Sequence, residues 1–166
     1  MAGGAVILRE VTAADYKALT TLANKVFSQD NLLVMVPKDR FLKLKTQGFR
    51  IVCLFDPNLV AALVACPLKT DKGAGFEIVF FLVDKTRPDT IDLADALTLW
   101  SLNVAQSEGY LIVVTRVNKS IAGTIYARDV LNMETTDDGS EWVMVDTMKN
   151  MASNILKRHP EWRTLP

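Results

Sequence analysis

The chain has 166 residues, 49% of them apolar and 23% charged, which is typical of a globular protein with a substantial core. Lysine plus arginine and aspartate plus glutamate both total 19, so no net charge draws the protein to nucleic acid or to an anionic membrane. No apolar run reaches the roughly 18 residues of a transmembrane helix, and the start MAGGAVILRE lacks the positive segment of a secretory signal.

The first third of the chain reads as a strand followed by two helices. Residues 6–10 predict a short strand, and Thr12 with Asp15 three residues later is typical of a capping box at a helix start. Pro37 suits the first turn of a short second helix, which Gly48 ends. These elements would supply helices to cover a sheet.

From Phe49 onward the apolar period becomes that of strands. The runs FRIVCLF and LVAALVACPL flank the turn tripeptide DPN and predict an antiparallel hairpin. FEIVFFLV is apolar nearly throughout, which predicts a central strand buried on both faces. A helix over about residues 90–107 and the strand YLIVVTRV follow. Strand, helix and strand in this order imply a right-handed parallel crossover.

The last part of the chain reads as a helix, a strand pair and a final helix. NKSIAGTIYARDVL favours a helix, although Gly123 weakens it, and MET with EWVMVD predicts a strand pair around TDDGS. A single domain over residues 1–158 and a tail over 159–166 are expected. Methionine and tryptophan in this part suit either a core or an interface with another protein: Trp142, Met144, Met148, Met151 and Trp162.

Few side chains in the chain suit metal binding or nucleophilic chemistry. Cys53 and Cys66 are too few for a disulfide framework or a zinc site, which favours a cytoplasmic location. The only histidine, His159, lies in the tail, and no cysteine or histidine has metal-ligand spacing. We therefore expect no metal site.

The predicted order β-α-α-β-β-β-α-β-α-β-β-α resembles the GNAT superfamily of acyl-CoA N-acyltransferases from Val6 to about Val145. In that family the fourth strand ends in a turn of the form Arg/Gln-x-x-Gly-x-Gly/Ala, and VDKTRPDTIDLADAL stands in its place here. The fifth strand is often followed by an Asn and a helix carrying a Tyr, which Asn118 and Tyr126 match. The resemblance implies an α/β fold: a mixed twisted sheet of six or seven strands flanked by helices.

In an active member of this superfamily, acetyl-CoA would donate its acyl group to an amine. The resemblance implies that Tyr126 would protonate the CoA thiolate, and Glu77 could act as a general base through water. The cofactor-binding residues that it implies are Phe81, Leu82, Val83, Arg87 and Asn118. Each also has a structural interpretation: a helix tyrosine with its hydroxyl at the surface, a solvated glutamate, or an asparagine that caps a helix.

The turn after the predicted central strand departs from the family pattern. Aligned on Arg87, Pro88, Thr90 and Asp92 stand where small residues, chiefly glycine, are expected. Pro88 has no amide proton, Thr90 disfavours positive φ, and Asp92 adds negative charge where a diphosphate would lie. Asp89 is a good N-cap, and first-turn carboxylates stabilise a helix themselves. The sequence therefore predicts that the site, if inherited, has lost CoA.

The sequence leaves several functions open. The first is a degenerate, non-catalytic GNAT-like domain that needs no cofactor and acts in binding or assembly with protein partners, without nucleic acid or membrane. Degenerate members of the fold occur in tailed bacteriophages, so a structural, virion-associated protein is one concrete form. The alternative is an acyl-CoA-dependent N-acetyltransferase acting on an amine. A small-ligand sensor is a third.

Overall fold

The fold is described from a computed structural model, which covers residues 6–30, 34–118, 133–138 and 141–164. The strands in these ranges are β1 (Ile7–Glu10), β2 (Arg50–Phe55), β3 (Leu59–Thr70), β4 (Gly73–Val83), β5 (Ile112–Asn118), β6 (Glu134–Asp138) and β7 (Glu141–Thr147). The α-helices are α1 (Tyr16–Gln29), α2 (Arg40–Thr46), α3 (Thr90–Ser107) and α4 (Met148–Arg158). Short 3-10 turns cover Ala13–Asp15 and Pro160–Thr164. The helix predicted after Asn118 lies outside the described residues.

The strands form one mixed sheet in the order β1-β2-β3-β4-β5-β7-β6. The predicted β2–β3 hairpin is antiparallel, and β1 also pairs antiparallel with β2. β4 pairs in parallel with β5 across helix α3, and the predicted β6–β7 pair is antiparallel. The structure therefore confirms the predicted mixed sheet flanked by helices.

The chain divides into two compact units, and the first contains the residues up to Cys66 together with Val79–Thr98. Its core forms because α1 places an apolar side chain every three or four residues while β2 and β3 turn alternate side chains toward it. Members of this core are Leu19, Leu22, Ala23, Val26, Phe41, Leu44, Ile51, Cys53, Ala62, Val64 and Leu82. α2 contributes only Phe41 and Leu44 to the buried residues, and its other side chains are at least partly exposed.

The second unit contains Pro67–Ile78 and the chain from Leu99 onward. Gly75 lies so close to β5 that a Cβ atom built on it would be 2.5 Å from the Ile112 carbonyl oxygen. α4 buries one apolar face, and Met144 of β7, Met148 and Met151 are all at most 1% exposed. These methionines therefore serve the core rather than an interface. The boundary between the units runs through β3, β4 and α3, and the single domain over residues 1–158 stays a prediction.

Candidate functional site

The turn between β4 and α3, residues 84–89, lies within the first unit and begins at a buried carboxylate. Asp84 is 8% exposed, and its amide donates to the Val60 carbonyl at 2.9 Å. Its carboxylate accepts hydrogen bonds from Lys25 Nζ at 2.7 Å, Gln29 Nε2 at 3.3 Å, and the Thr86 amide and hydroxyl at 3.0 and 2.8 Å. Burial works to raise the pKa of Asp84, but the hydrogen bonds outweigh it and hold that pKa well below its usual range.

The backbone amides of this turn donate to acceptors within the protein. The Lys85 amide donates to Gln29 Oε1 at 3.1 Å, and the Thr86 amide donates to Asp84 Oδ1. The Arg87 amide donates to the Asp84 carbonyl at 3.4 Å, a long bond. Because proline has no amide proton at position 88, none of residues 85–88 presents an unused amide to a bound anion.

Arg87 contacts two carboxylates of the same chain, those of Asp56 and Asp89. Its Nε and Nη2 atoms each donate to the Asp89 carboxylate at 3.1 Å, in the bidentate geometry that guanidinium favours. Nη2 also donates to Asp56 Oδ2 at 2.6 Å, and Nη1 donates to the Asp56 carbonyl at 3.2 Å. The hydrogen bonds to Asp89 and then to Asp56 raise the pKa of Arg87, so the guanidinium stays charged and engaged.

Helix α3 begins at the N-cap position that the sequence predicts. The Asp89 carbonyl accepts the first helical hydrogen bond, from the Leu93 amide at 3.0 Å. The Asp89 carboxylate accepts from Arg87, which lowers its pKa. The Thr90 hydroxyl donates to the Arg87 carbonyl at 2.7 Å, which closes the turn, while Asp92 is exposed in the first turn of the helix. The predicted negative charge is thus present at the start of α3, although the Asp89 carboxylate is paired with Arg87.

The C-terminal half of α1 supplies further partners to the turn. Lys25 and Gln29 both reach Asp84, and Lys85 forms an ion pair with Asp30 directly after the helix. The second cation that could offset the acids of the turn therefore already has a carboxylate partner. Together with Arg87, this means that both cations of the turn are neutralised within the protein.

The structure also describes four other predicted site residues: Glu77, Phe81, Leu82 and Val83. Glu77, which lies in the second unit, forms an ion pair with Arg116, whose Nε is 3.2 Å from Oε1. Leu82 and Val83 are buried, with Leu82 in the core of the first unit, and Phe81 next to them is partly exposed.

The resemblance implies roles in cofactor binding and catalysis for two residues whose side chains the structure does not describe. Asn118 is the last residue of β5, and its side chain lies outside the description. Tyr126 falls in the segment from 119 to 132, which is also outside the described residues. Their roles stay predictions.

Sequence reasoning missed the partners that close the turn. Asp56 stands in the tripeptide DPN, which reads only as a hairpin turn, and it lies 31 positions from Arg87. Lys25 and Gln29 lie 59 and 55 positions from Asp84 on a helix whose polar face reads as solvated. No local pattern signals such pairs. The one local signal in the sequence was Pro88, which removes an amide proton that an anion could have used.

Comparisons with protein-family models and with curated proteins found no match. Solved structures do match. PaiA N-acetyltransferase from Thermoplasma acidophilum, solved with coenzyme A, has a TM-score of 0.69 at 14% identity, over 87% of this chain and 99% of that one. A GNAT-family acetyltransferase from Staphylococcus aureus Mu50 reaches 0.72 at 9% identity, over 87% and 99%. A phosphinothricin acetyltransferase from Sinorhizobium meliloti with bound acetyl-CoA reaches 0.63 at 15%, over 86% and 88%.

The chain therefore has the acyl-CoA N-acyltransferase fold of the GNAT superfamily. At these identities the likeness concerns the fold, and the turn after β4 has to be judged on its own residues. Among the described residues, no cluster of His, Cys, Asp or Glu could hold a metal ion. None of the helices in the same ranges is long and apolar enough to cross a membrane.

Proposed function

We propose that this chain is a degenerate GNAT-fold protein that does not hold CoA at the turn after β4 and that acts by binding other proteins. One observation carries the proposal: the amides of residues 85–87 and the Arg87 guanidinium, which lead into the start of α3, are already used inside the protein. The amides at 85–87 donate to Gln29 and Asp84, and position 88 has none. Arg87 is held by Asp56 and Asp89.

An incoming diphosphate would have to displace the carboxylates that already pair with Arg87. It would have to break the bidentate Arg87–Asp89 contact and the 2.6 Å contact to Asp56, and would then lie beside both carboxylates. Like charges at about 4 Å repel by on the order of 1 kcal/mol in water and by several times more in a partly desolvated site. The residues present at this turn thus do not fit the phosphates of a coenzyme.

The setting in which such a protein acts is part of the same proposal. A structural, virion-associated protein of a bacteriophage is one form, because degenerate members of the fold occur in tailed bacteriophages. Action within the cytoplasm is the other. In both forms the partner is a protein, and the chain needs no cofactor.

An acyl-CoA-dependent N-acetyltransferase is the second candidate, and a specific observation favours it. The first and third solved structures above were determined with coenzyme A and acetyl-CoA, on a fold that this chain shares. In this alternative Tyr126 would be the acid, and Glu77 would act only after leaving its ion pair with Arg116. The two candidates differ in whether the chain binds the coenzyme at all.

The experiment is a calorimetric titration of acetyl-CoA into the full chain, repeated with Arg87→Ala and Tyr126→Phe. We expect no heat of binding at millimolar ligand for any of the three proteins. Lys43→Ala is the matched control, because it also removes a cation paired with a nearby carboxylate. Micromolar binding that weakens in Arg87→Ala and not in Lys43→Ala would overturn the proposal and favour the transferase.

A further inference from the structure

The stretch of residues 34–46, which we call the α2 segment, exposes apolar side chains to an unusual extent. In the described ranges eight large apolar residues are exposed, and three of them lie within these thirteen residues. Val34 is 56% exposed, Met35 81% and Leu42 49%. Isolated exposed apolar residues are ordinary, but several on one short segment are typical of a contact surface.

The α2 segment is fixed to the body of the first unit. The Val36 amide donates to Asn24 Oδ1 of α1 at 2.7 Å, and Val36 itself is only 8% exposed. Further along, Phe41 and Leu44 are buried in the core. Met35 and Leu42 therefore project from a support that is anchored on both sides of the helix start, which lowers the entropy that a partner would have to remove on binding.

The same segment concentrates positive charge in a protein that is neutral overall. Its cations are Lys38, Arg40, Lys43 and Lys45, against a single carboxylate, Asp39. Asp39 pairs with Lys43 at 2.8 Å across one helical turn. The segment therefore carries three more positive than negative charges, placed among exposed apolar side chains.

We propose that the α2 segment is a docking surface for an acidic stretch of another protein that carries aliphatic side chains. The acidic groups would meet Lys38, Arg40 and Lys45, while its apolar groups would cover Met35 and Leu42. Methionine suits such a surface because its flexible thioether adapts to different partners. Charge complementarity of this kind raises association rates and selects against basic partners.

A protein partner fits these observations better than a lipid surface. An interfacial helix binds a membrane through its apolar face, but the apolar face of α2 is already used by Phe41 and Leu44 in the core. The exposed apolar residues are Val34, Met35 and Leu42, with none of the aromatic side chains that are favoured at a bilayer interface. The matching negative charge is therefore expected from carboxylates of a protein.

The probe is an array of short synthetic peptides of equal apolar content in acidic, neutral and basic classes. One variant is Lys38→Glu/Arg40→Glu, and a second is Met35→Ser/Leu42→Ser. The matched control for the charge change is Lys69→Glu/Lys72→Glu, which reverses two exposed lysines of the second unit. All the changed side chains are exposed, so circular dichroism and the melting temperature should stay unchanged.

We expect the unmodified protein to bind the acidic class about tenfold more tightly than the basic class, and each of the two α2 variants to lose that preference. The lysine control should keep it, and added salt should weaken it. Equal binding of the peptide classes, or an unchanged preference in the variants, would overturn the proposal. So would binding to phosphatidylserine vesicles in place of peptides, or self-association that the α2 variants abolish.

This proposal rests on the proposed binding role but fails separately from it. Acetyl-CoA binding measured by calorimetry would overturn the non-catalytic function and leave the peptide preference untouched. If the unmodified protein shows no preference among the peptide classes, the docking surface is ruled out and the coenzyme result stands as it is.

Discussion

Arg87 matches a family pattern in the sequence and contacts two carboxylates of its own chain in the structure. In the sequence it aligns with the arginine that opens a phosphate-binding turn. In the structure its guanidinium bridges Asp56 in the β2–β3 turn and Asp89 at the start of α3. Both carboxylates pair with the guanidinium within the first unit, so we expect these contacts to stabilise the fold.

The role of Arg87 predicts a loss of stability when it is removed. Arg87→Ala leaves two carboxylates, whose side chains are 15% and 27% exposed, without their shared cation. We expect the free energy of unfolding to fall by about 1–3 kcal/mol, measured by urea denaturation. Arg87→Lys should recover only part of the loss, because lysine keeps the charge and lacks the planar fork.

The matched control for that change is Lys43→Ala, whose partner Asp39 is half exposed. Solvent-exposed pairs of this kind contribute little, so its unfolding curve should overlay that of the unmodified protein. Equal losses in the two variants would mean that Arg87 is an ordinary surface cation.

At the scale of elements, the entry into α1 is fixed by a carboxylate. Asp15 accepts from the Thr12 amide at 2.7 Å and from both terminal nitrogens of Arg9, at 2.7 and 3.0 Å. The hydrogen bond from Arg9 is the main cause that lowers the pKa of Asp15 to about 2, helped by Thr12 and opposed by burial. Strand β1 and the first helix are thereby joined through one side chain.

This contact predicts a specific response to acid. The folded pKa of Asp15 lies below its unfolded value of about 3.9, so the folded state binds fewer protons, and the stabilisation is lost as pH falls from about 4 toward 2. Because the Arg9 side chain is 39% exposed, screening limits the expected contribution to about 1–2 kcal/mol. Asp15→Asn should shrink the acid-induced loss measured by denaturation at several pH values. A parallel decline in both proteins would contradict this role.

The contact between β4 and β5 predicts a second effect at the same scale. Gly75 pairs with Ile112, and the 2.5 Å approach of a built Cβ to that carbonyl leaves no room for alanine without moving a strand. Gly75→Ala should destabilise the protein by about 1–3 kcal/mol or more in thermal or urea unfolding. The neighbouring exposed position gives the control, Ala74→Ser, which should be neutral. A neutral Gly75→Ala would show that the strands can separate locally.

For the whole molecule, the periodicity of apolar residues was enough to predict the mixed sheet and its flanking helices. FEIVFFLV forms β4 in the middle of the sheet order, but the prediction that it is buried on both faces is wrong, because only three of its eight residues are buried and Val79 is 38% exposed. The apolar stripe of α1 is buried, as its period requires. The ion pairs of the turn were beyond such reasoning. Asp56, Gln29 and Lys25 reach the turn only because the fold brings distant parts of the chain together.

The prediction about coenzyme A likewise depends partly on the sequence and partly on contacts that only the fold shows. The sequence alone shows that Pro88 removes one amide proton from the turn. The hydrogen bonds of the Lys85 and Thr86 amides are visible only in the structure. Asp92, read as a charge that repels phosphate, is indeed exposed at the helix start. The prediction that CoA is lost therefore stays a proposal with a stronger physical basis.

The most direct test of the central claim is to follow the backbone amides of Lys85, Thr86 and Arg87 by NMR during addition of acetyl-CoA. We expect Lys85 and Thr86 to be protected from hydrogen exchange in the free protein, and none of the three signals to move at millimolar coenzyme. Fast exchange of Lys85 and Thr86 in the free protein, or saturable shifts of these signals at micromolar coenzyme, would contradict this expectation.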